Sequence, residues 1–145
     1  MVLVQTFGHL EYVLKRTQFA EFREQHDNPI SICSLKKGSI DVIIQLVTQV
    51  IDLVGEHNIE YLHMGADEVF NFATCRDCKL FTQQASHRIL FARWINKVIK
   101  RVLKAHPSIK IMAWDDMYRN WSVMDMMLLK EKSQNHLIQS AKHVI

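Results

Sequence analysis

The chain has 145 residues, 48% of them hydrophobic and 23% charged, with a formal net charge of +3 and a pI of about 8.8. That composition excludes a disordered tail and suits one packed domain. No run approaches the roughly 18 consecutive apolar residues of a membrane span. The lysines and arginines from Arg88 to Lys104 recur at the spacing of a solvated helix face, so neither membrane nor nucleic acid is an expected partner.

In chain order, Val2-Leu-Val-Gln-Thr-Phe7 reads as a strand that Gly8 and His9 break. From Leu10 to about Gln25, apolar residues at Leu10, Val13, Leu14, Phe19 and Phe22 predict helical turns in two short pieces. His26-Asp-Asn-Pro29 is turn chemistry, because Pro29 biases Asn28 away from helix, and the segment to Lys37 is expected to be irregular. A helix then starts at Gly38-Ser39, with Ser39 as the expected cap and Asp41 in the first turn, where the helix dipole favours it. Its apolar stripe is Ile40, Ile43, Ile44, Val47, Val50, Ile51 and Val54, and Gly55 stops it.

Ile59 to Met64 is a second strand, followed at once by Asp67 and Glu68. A polar stretch from Asn71 to Lys79 precedes a long amphipathic helix, about Phe81 to Ala105, that buries Ile89, Leu90, Trp94, Ile95, Val98, Val102 and Leu103. His106-Pro107 ends it, Ile109 to Ala113 is a third strand, and Ser122, three residues before Asp125, caps a last helix running to about Lys132.

Strands alternating with long helices predict an α/β fold with a parallel sheet and crossover helices. No glycine-rich phosphate loop is present, which disfavours a nucleotide-binding sheet. A (β/α)8 TIM barrel takes about 250 residues. The expected architecture is therefore a partial barrel of about three consecutive βα units, with 1–145 a single fragment whose flanking strands are missing on both sides.

Three cysteines do not suggest a disulfide framework. Cys75-x-x-Cys78 is one pair, whereas a structural zinc site needs four ligands. Cys33 and His87 would have to be recruited, so a plain loop with no metal ion and no cofactor is expected. The N-terminus, Met1 to Gln5, has no basic n-region and too short an apolar run for a signal peptide. The expected location is cytoplasmic or nuclear; the oligomeric state is left open.

Each of the three strands carries polar or aromatic residues at its carboxyl end: Gly8-His9, Asp67-Glu68 and Trp114-Asp115-Asp116. In parallel α/β folds that edge is where sites are built. Two neighbouring carboxylates can divide labour, one donating a proton to a leaving group and one stabilising developing positive charge. Neighbours in sequence do not suit the usual glycosidase spacing of about 5–5.5 or 6.5–9.5 Å across the sugar, and they suit a substrate that supplies its own nucleophile. A metal-dependent hydrolase using His9, His63, Asp67 and Asp115 is a competing reading. His63 as a satisfied core histidine and Trp114 as ordinary core packing stay open, as do rim and packing roles for Tyr118 and Trp121.

His63-Met-Gly-Ala-Asp-Glu68 resembles the His-x-Gly-(Gly/Ala)-Asp-Glu signature of the family-20 glycoside hydrolases, the β-N-acetylhexosaminidases. Gln5-Thr-Phe-Gly-His9 is similar to that family's site loop one strand earlier, and Ala113-Trp-Asp-Asp-Met117 to its tryptophan-bearing next strand end. The resemblance implies retaining, substrate-assisted hydrolysis of terminal N-acetylgalactosamine or N-acetylglucosamine from a glycan or glycoconjugate. Carried onto this chain, Glu68 is the general acid, and Asp67 orients the 2-acetamido group and stabilises the oxazolinium-like intermediate. His9, His63, Trp114 and Asp115 are implied to bind the sugar. A truncated, non-catalytic remnant or a weak sugar-binding fragment is the alternative.

Overall fold

The structure is a computed structural model and describes residues 1–129 and 139–141. Four strands, β1 (Val2–Leu3), β4 (Tyr61–His63), β5 (Lys110–Trp114) and β6 (Gln139–Ala141), pair side by side in that order, all parallel. A separate antiparallel hairpin is formed by β2 (Arg23–Gln25) and β3 (Asn28–Ile32). The helices are α1 (Glu11–Leu14), α2 (Ser39–Val54), α3 (Arg76–Gln84), α4 (His87–Ala105) and α5 (Val123–Met126). Helical segments thus separate each pair of neighbouring parallel strands along the chain. The α/β class expected from the sequence holds, with one parallel strand more than the three foreseen.

Parallel register sets which residues share a face. Val2, Leu62 and Ile111 form one row across the sheet, and Leu3, His63 and Met112 the next. Adjacent rows point to opposite faces. The first row joins Val4, Met64 and Ala113 in a single core with Ile43, Val47 and Ile51 of α2 and Trp94, Ile95, Val98 and Val102 of α4. The helix residues recur at three- and four-residue intervals, so both helices lay one stripe on the sheet. On the other face Leu3 is 47% exposed while His63 is buried.

Phe7, just past β1, is the hub of the aromatic core. Its ring lies 5.7, 5.6 and 5.5 Å from Phe72, Phe91 and Trp94. The Trp94 indole N–H donates to the Thr6 carbonyl at 3.0 Å, so α4 is pinned to the end of the first strand as well as packed on it.

Several expectations are corrected. Arg23 to Gln25 is strand, not helix, and 28–32 is its hairpin partner rather than irregular chain; the turn at His26-Asp27 stands as read. The hairpin has no apolar alternation, because the inward residue of β2 is the buried Glu24. Gly38, not Ser39, occupies the N-cap of α2; Ser39 is already helical and its hydroxyl is buried without a partner. Gly55 is the C-cap, as expected.

The long helix from Phe81 is two helices. Ala85 is extended, and the Ser86 hydroxyl accepts from the Ile89 N–H at 3.2 Å, capping a fresh start. Ser122 and Asp125 form the expected capping box; α5 then gives way to a 3-10 turn, Met127–Leu129, and the remainder of the expected helix to Lys132 lies outside the described residues. The basic face of α4 is solvated and partly neutralised: Arg88 pairs with Asp125 and Arg101 with Asp41 of α2. Among the described residues no helix is long and apolar enough to cross a membrane.

Truncating Phe7 to alanine removes the ring on which Phe72, Phe91 and Trp94 converge. Phe7→Ala is expected to destabilise the chain by about 3–5 kcal/mol, read as a lower urea midpoint with an unchanged slope.

Candidate active site

The carboxyl ends of β1, β4 and β5 come together at one edge of the sheet, and the strand-end residues meet there. His9 Nε2 lies 3.5 Å from Asp67 Oδ2 and 3.5 Å from Glu68 Oε2, so one imidazole faces both acids. Asp67 is fixed more tightly by Gln5, whose amide N–H donates to Oδ1 at 2.8 Å. The other end of the same amide accepts the Ala66 N–H at 3.2 Å. Gln5 is therefore a clamp between the first strand and the acid loop, with both halves of its side chain used.

The loop after β4 turns by left-handed backbone. Gly65, Ala66 and Glu68 have φ of 66°, 67° and 49°, and His9 across from them has φ 51°. Left-handed non-glycine residues cost of order 1–3 kcal/mol each and persist where surroundings hold them. Here the holders are specific: Gln5 on the Ala66 N–H, and Asp116 Oδ2 accepting the Glu68 N–H at 2.9 Å. At Gly65 a Cβ would fall 2.0 Å from Gln5 Oε1, so the close approach of Gln5 requires glycine there. The outcome is two consecutive carboxylates that differ in setting. The Asp67 side chain is 25% exposed and held; that of Glu68 is 61% exposed.

His63 lies below this pair. Its Nδ1 accepts the Gly65 N–H at 3.1 Å, which places the proton of the neutral ring on Nε2. Nε2 is buried with no hydrogen-bond partner among the described residues. The ring packs against Trp114 with centroids 4.7 Å apart. A buried imidazole N–H without a protein acceptor is free to donate to a bound group or water. Burial pulls the His63 pKa down, and the Asp67 charge opposes this.

Asp115 is turned toward its own chain, accepting from Arg119 at 3.0 Å. Its neighbour Asp116 does more at the site, because it supports the backbone of Glu68. Tyr118 packs on Phe91 and Trp121 in the core, so packing rather than rim describes it. Its hydroxyl is buried without a partner among the described residues, and burial and the charges of Asp115 and Asp116 push its pKa up. Sequence reasoning passed over Gln5 and Asp116 as site residues. Their signal was position alone, a polar side chain next to a strand-end motif.

The competing metal-hydrolase set does not assemble. His63 Nδ1 is taken by Gly65 and Asp115 by Arg119, and the one metal-ligand group among the described residues lies elsewhere. That group is Glu24, Cys33, Cys75 and Cys78. Cys33 is indeed brought to the cysteine pair, at 3.6 Å from each sulfur. His87 is not; it is exposed and meets Phe72 edge-on. Nor is the Cys75–Cys78 segment a plain loop, since Cys75 caps α3 and Cys78 is in its first turn.

The profile described as "Glycosyl hydrolase family 20, catalytic domain" matches residues 6–143. The chain is 32% identical to the human protein named Hexosaminidase D over 120 residues, which are 81% of this chain and 24% of that one. Against the bovine Hexosaminidase D it is 30% identical over 120 residues, 81% of this chain and 34% of the relative. The matched stretch thus spans between a quarter and about a third of these relatives' length.

Because the folded state holds His63 neutral more strongly than the unfolded chain does, its contribution to stability is complete above the ordinary histidine pKa of about 6.5 and is lost as pH falls below it. Melting of the chain between pH 7.5 and 5 is expected to show a fall in midpoint that is smaller in His63→Gln. Equal falls in both proteins would show that other groups carry the acid sensitivity.

Proposed function

The chain belongs to glycosyl hydrolase family 20, and from that premise we propose that it carries the acid pair of a β-N-acetylhexosaminidase. The observation that carries the reading is the junction of Asp67 and Glu68 at one strand end with His9 facing both at 3.5 Å. In the proposed reaction Glu68, in reach of solvent and of a glycosidic oxygen, protonates the leaving group. Asp67, its Oδ1 already held by Gln5, directs Oδ2 to the N–H of a 2-acetamido group and stabilises its positive charge as the acetamido oxygen attacks the anomeric carbon. Water then opens the cyclic intermediate, with Glu68 taking the proton back, and configuration is retained.

His63 and Trp114 form a floor for the sugar, and the unpartnered His63 Nε2–H suits a hydroxyl or carbonyl acceptor. His9 positions the acids. Asp115 reaches a sugar hydroxyl only by sharing with Arg119. The sheet is read as an arc of a (β/α)8 barrel, with 1–145 as part of one catalytic domain. The substrates are terminal N-acetylgalactosamine or N-acetylglucosamine residues of glycans or glycoconjugates. Three free thiols fit a reducing cytoplasmic or nuclear setting, to be checked by fractionation of a tagged chain.

One observation favours a second reading. The Glu68 carboxylate is 61% exposed and open to water rather than walled in beside a bound sugar, so the isolated chain is expected to turn over slowly or only to bind sugar weakly.

The test is hydrolysis of aryl N-acetyl-β-galactosaminide and glucosaminide by this chain and by a version extended to a full catalytic domain. Glu68→Gln in the active form is expected to lower kcat by about a hundredfold or more. Asp67→Asn should lose turnover while KM changes little. Undiminished turnover in Glu68→Gln would reject the assignment of the acid, and sugar-induced NMR shifts without turnover in any form would favour the second reading.

A further inference from the structure

We propose that Glu24, Cys33, Cys75 and Cys78 form a structural zinc site that fastens the β2–β3 hairpin to the start of α3. The four donor atoms lie within 4.8 Å of one another although they come from three separate stretches of chain. Cys33 Sγ is 3.6 Å from the sulfurs of both Cys75 and Cys78, and Cys78 Sγ is 3.5 Å from Glu24 Oε2. Around a tetrahedral zinc, with Zn–S near 2.3 Å and Zn–O near 2.1 Å, neighbouring sulfurs lie about 3.8 Å apart and sulfur and oxygen about 3.6 Å apart. These three spacings need only small adjustment to reach those values, and no other pair, being within 4.8 Å, has to close by more than about 1.2 Å.

Charge points the same way. Glu24 is 3% exposed, and among the described residues no Lys, Arg or His makes an ion pair with it. Its neighbour Arg23 points its guanidinium elsewhere, to the carbonyls of Leu14, Lys15 and His26. A buried carboxylate beside three thiols, with no cation, is costly; a divalent ion relieves that cost and displaces the thiol protons as it binds. Three sulfurs and one carboxylate favour zinc over the hard cations magnesium and calcium, and four protein donors leave no open position for catalysis.

The surrounding groups are already placed. Glu24 Oε1 accepts the N–H groups of Thr74 and Cys75 at 2.6 and 2.8 Å, which orients the carboxylate and leaves Oε2 for the ion. Cys75 Sγ accepts the Cys78 N–H at 3.4 Å at the N-terminus of α3, which fixes the position of that sulfur. Ala73, Leu90, Phe72 and Phe81 wall the cluster in a small apolar core of its own. The site shares no residue with the carboxylate pair, and the proposal does not rest on the glycosidase reading. Its structural effect would be to anchor the far end of the loop that begins with Asp67 and Glu68.

The 145-residue chain, produced in zinc-supplemented medium, is expected to carry about one zinc per chain by elemental mass spectrometry, released when the thiols are modified. Cobalt(II) in place of zinc should give the intense visible bands of a tetrahedral thiolate site. Cys75→Ser and Glu24→Gln should each weaken zinc binding at least about tenfold. For chain refolded from denaturant without metal, added zinc should raise the melting temperature. The proposal is overturned if the wild-type chain holds no zinc and shows three freely titrating thiols, if intact mass reports a disulfide in the folded protein, or if zinc leaves the melting of refolded chain unchanged.

Discussion

Parallel pairing is the constraint from which the site follows. Once Leu3 stands beside His63 and His63 beside Met112, the carboxyl ends of successive strands open at one edge. The backbone continues that register beyond the regular ladder: the Val4 N–H donates to the His63 carbonyl, Met64 to Met112, and Trp114 to Gly65. His9, Asp67 and Trp114 are far apart in sequence, yet His9 and Asp67 lie only a few residues past paired positions and Trp114 is the last paired residue of β5. A one-residue slip would exchange the core row for the His63 row and bury the wrong face.

The loop between β4 and α3 is held at both ends by side chains from elsewhere. At its start Gln5 takes the Ala66 N–H and holds Asp67; at its end Glu24 takes the N–H groups of Thr74 and Cys75. Between them Phe72 packs into the aromatic group around Phe7 and Phe91. Such fastening can support the left-handed backbone at Ala66, Glu68 and Ala73, which a free loop would relax. The acids are thereby presented by a rigid support, while Glu68 itself remains open to water.

What could be read from sequence was periodic or local. The stripe of Ile40, Ile43, Val47 and Ile51 announced α2, and Ser122 with Asp125 announced its capping box. The strand-end motifs at His9, Asp67-Glu68 and Trp114 were visible because each follows an apolar run directly. The hairpin was not legible, since its inward residue is a glutamate and a three-residue strand carries too little alternation to register. The break at Ala85-Ser86 was hidden by an amphipathic pattern that continues across it. Gln5 and Asp116 were missed because their importance lies in what they touch, not in what surrounds them in the chain.

By itself, then, the sequence determined the alternation of parallel strands with helices, the family resemblance and the place of the Asp67-Glu68 pair just past a strand, because these depend on neighbours a few residues apart. The tertiary structure decided the rest. It placed one histidine against both carboxylates, gave Gln5 a grip on Asp67, left His63 Nε2 buried without an acceptor, and left Glu68 largely in solvent. It also brought Glu24 and Cys33 to Cys75 and Cys78 across separations of 42 to 54 residues. Separations of that size are closed only by packing, and no local spacing encodes which side chains meet when they close.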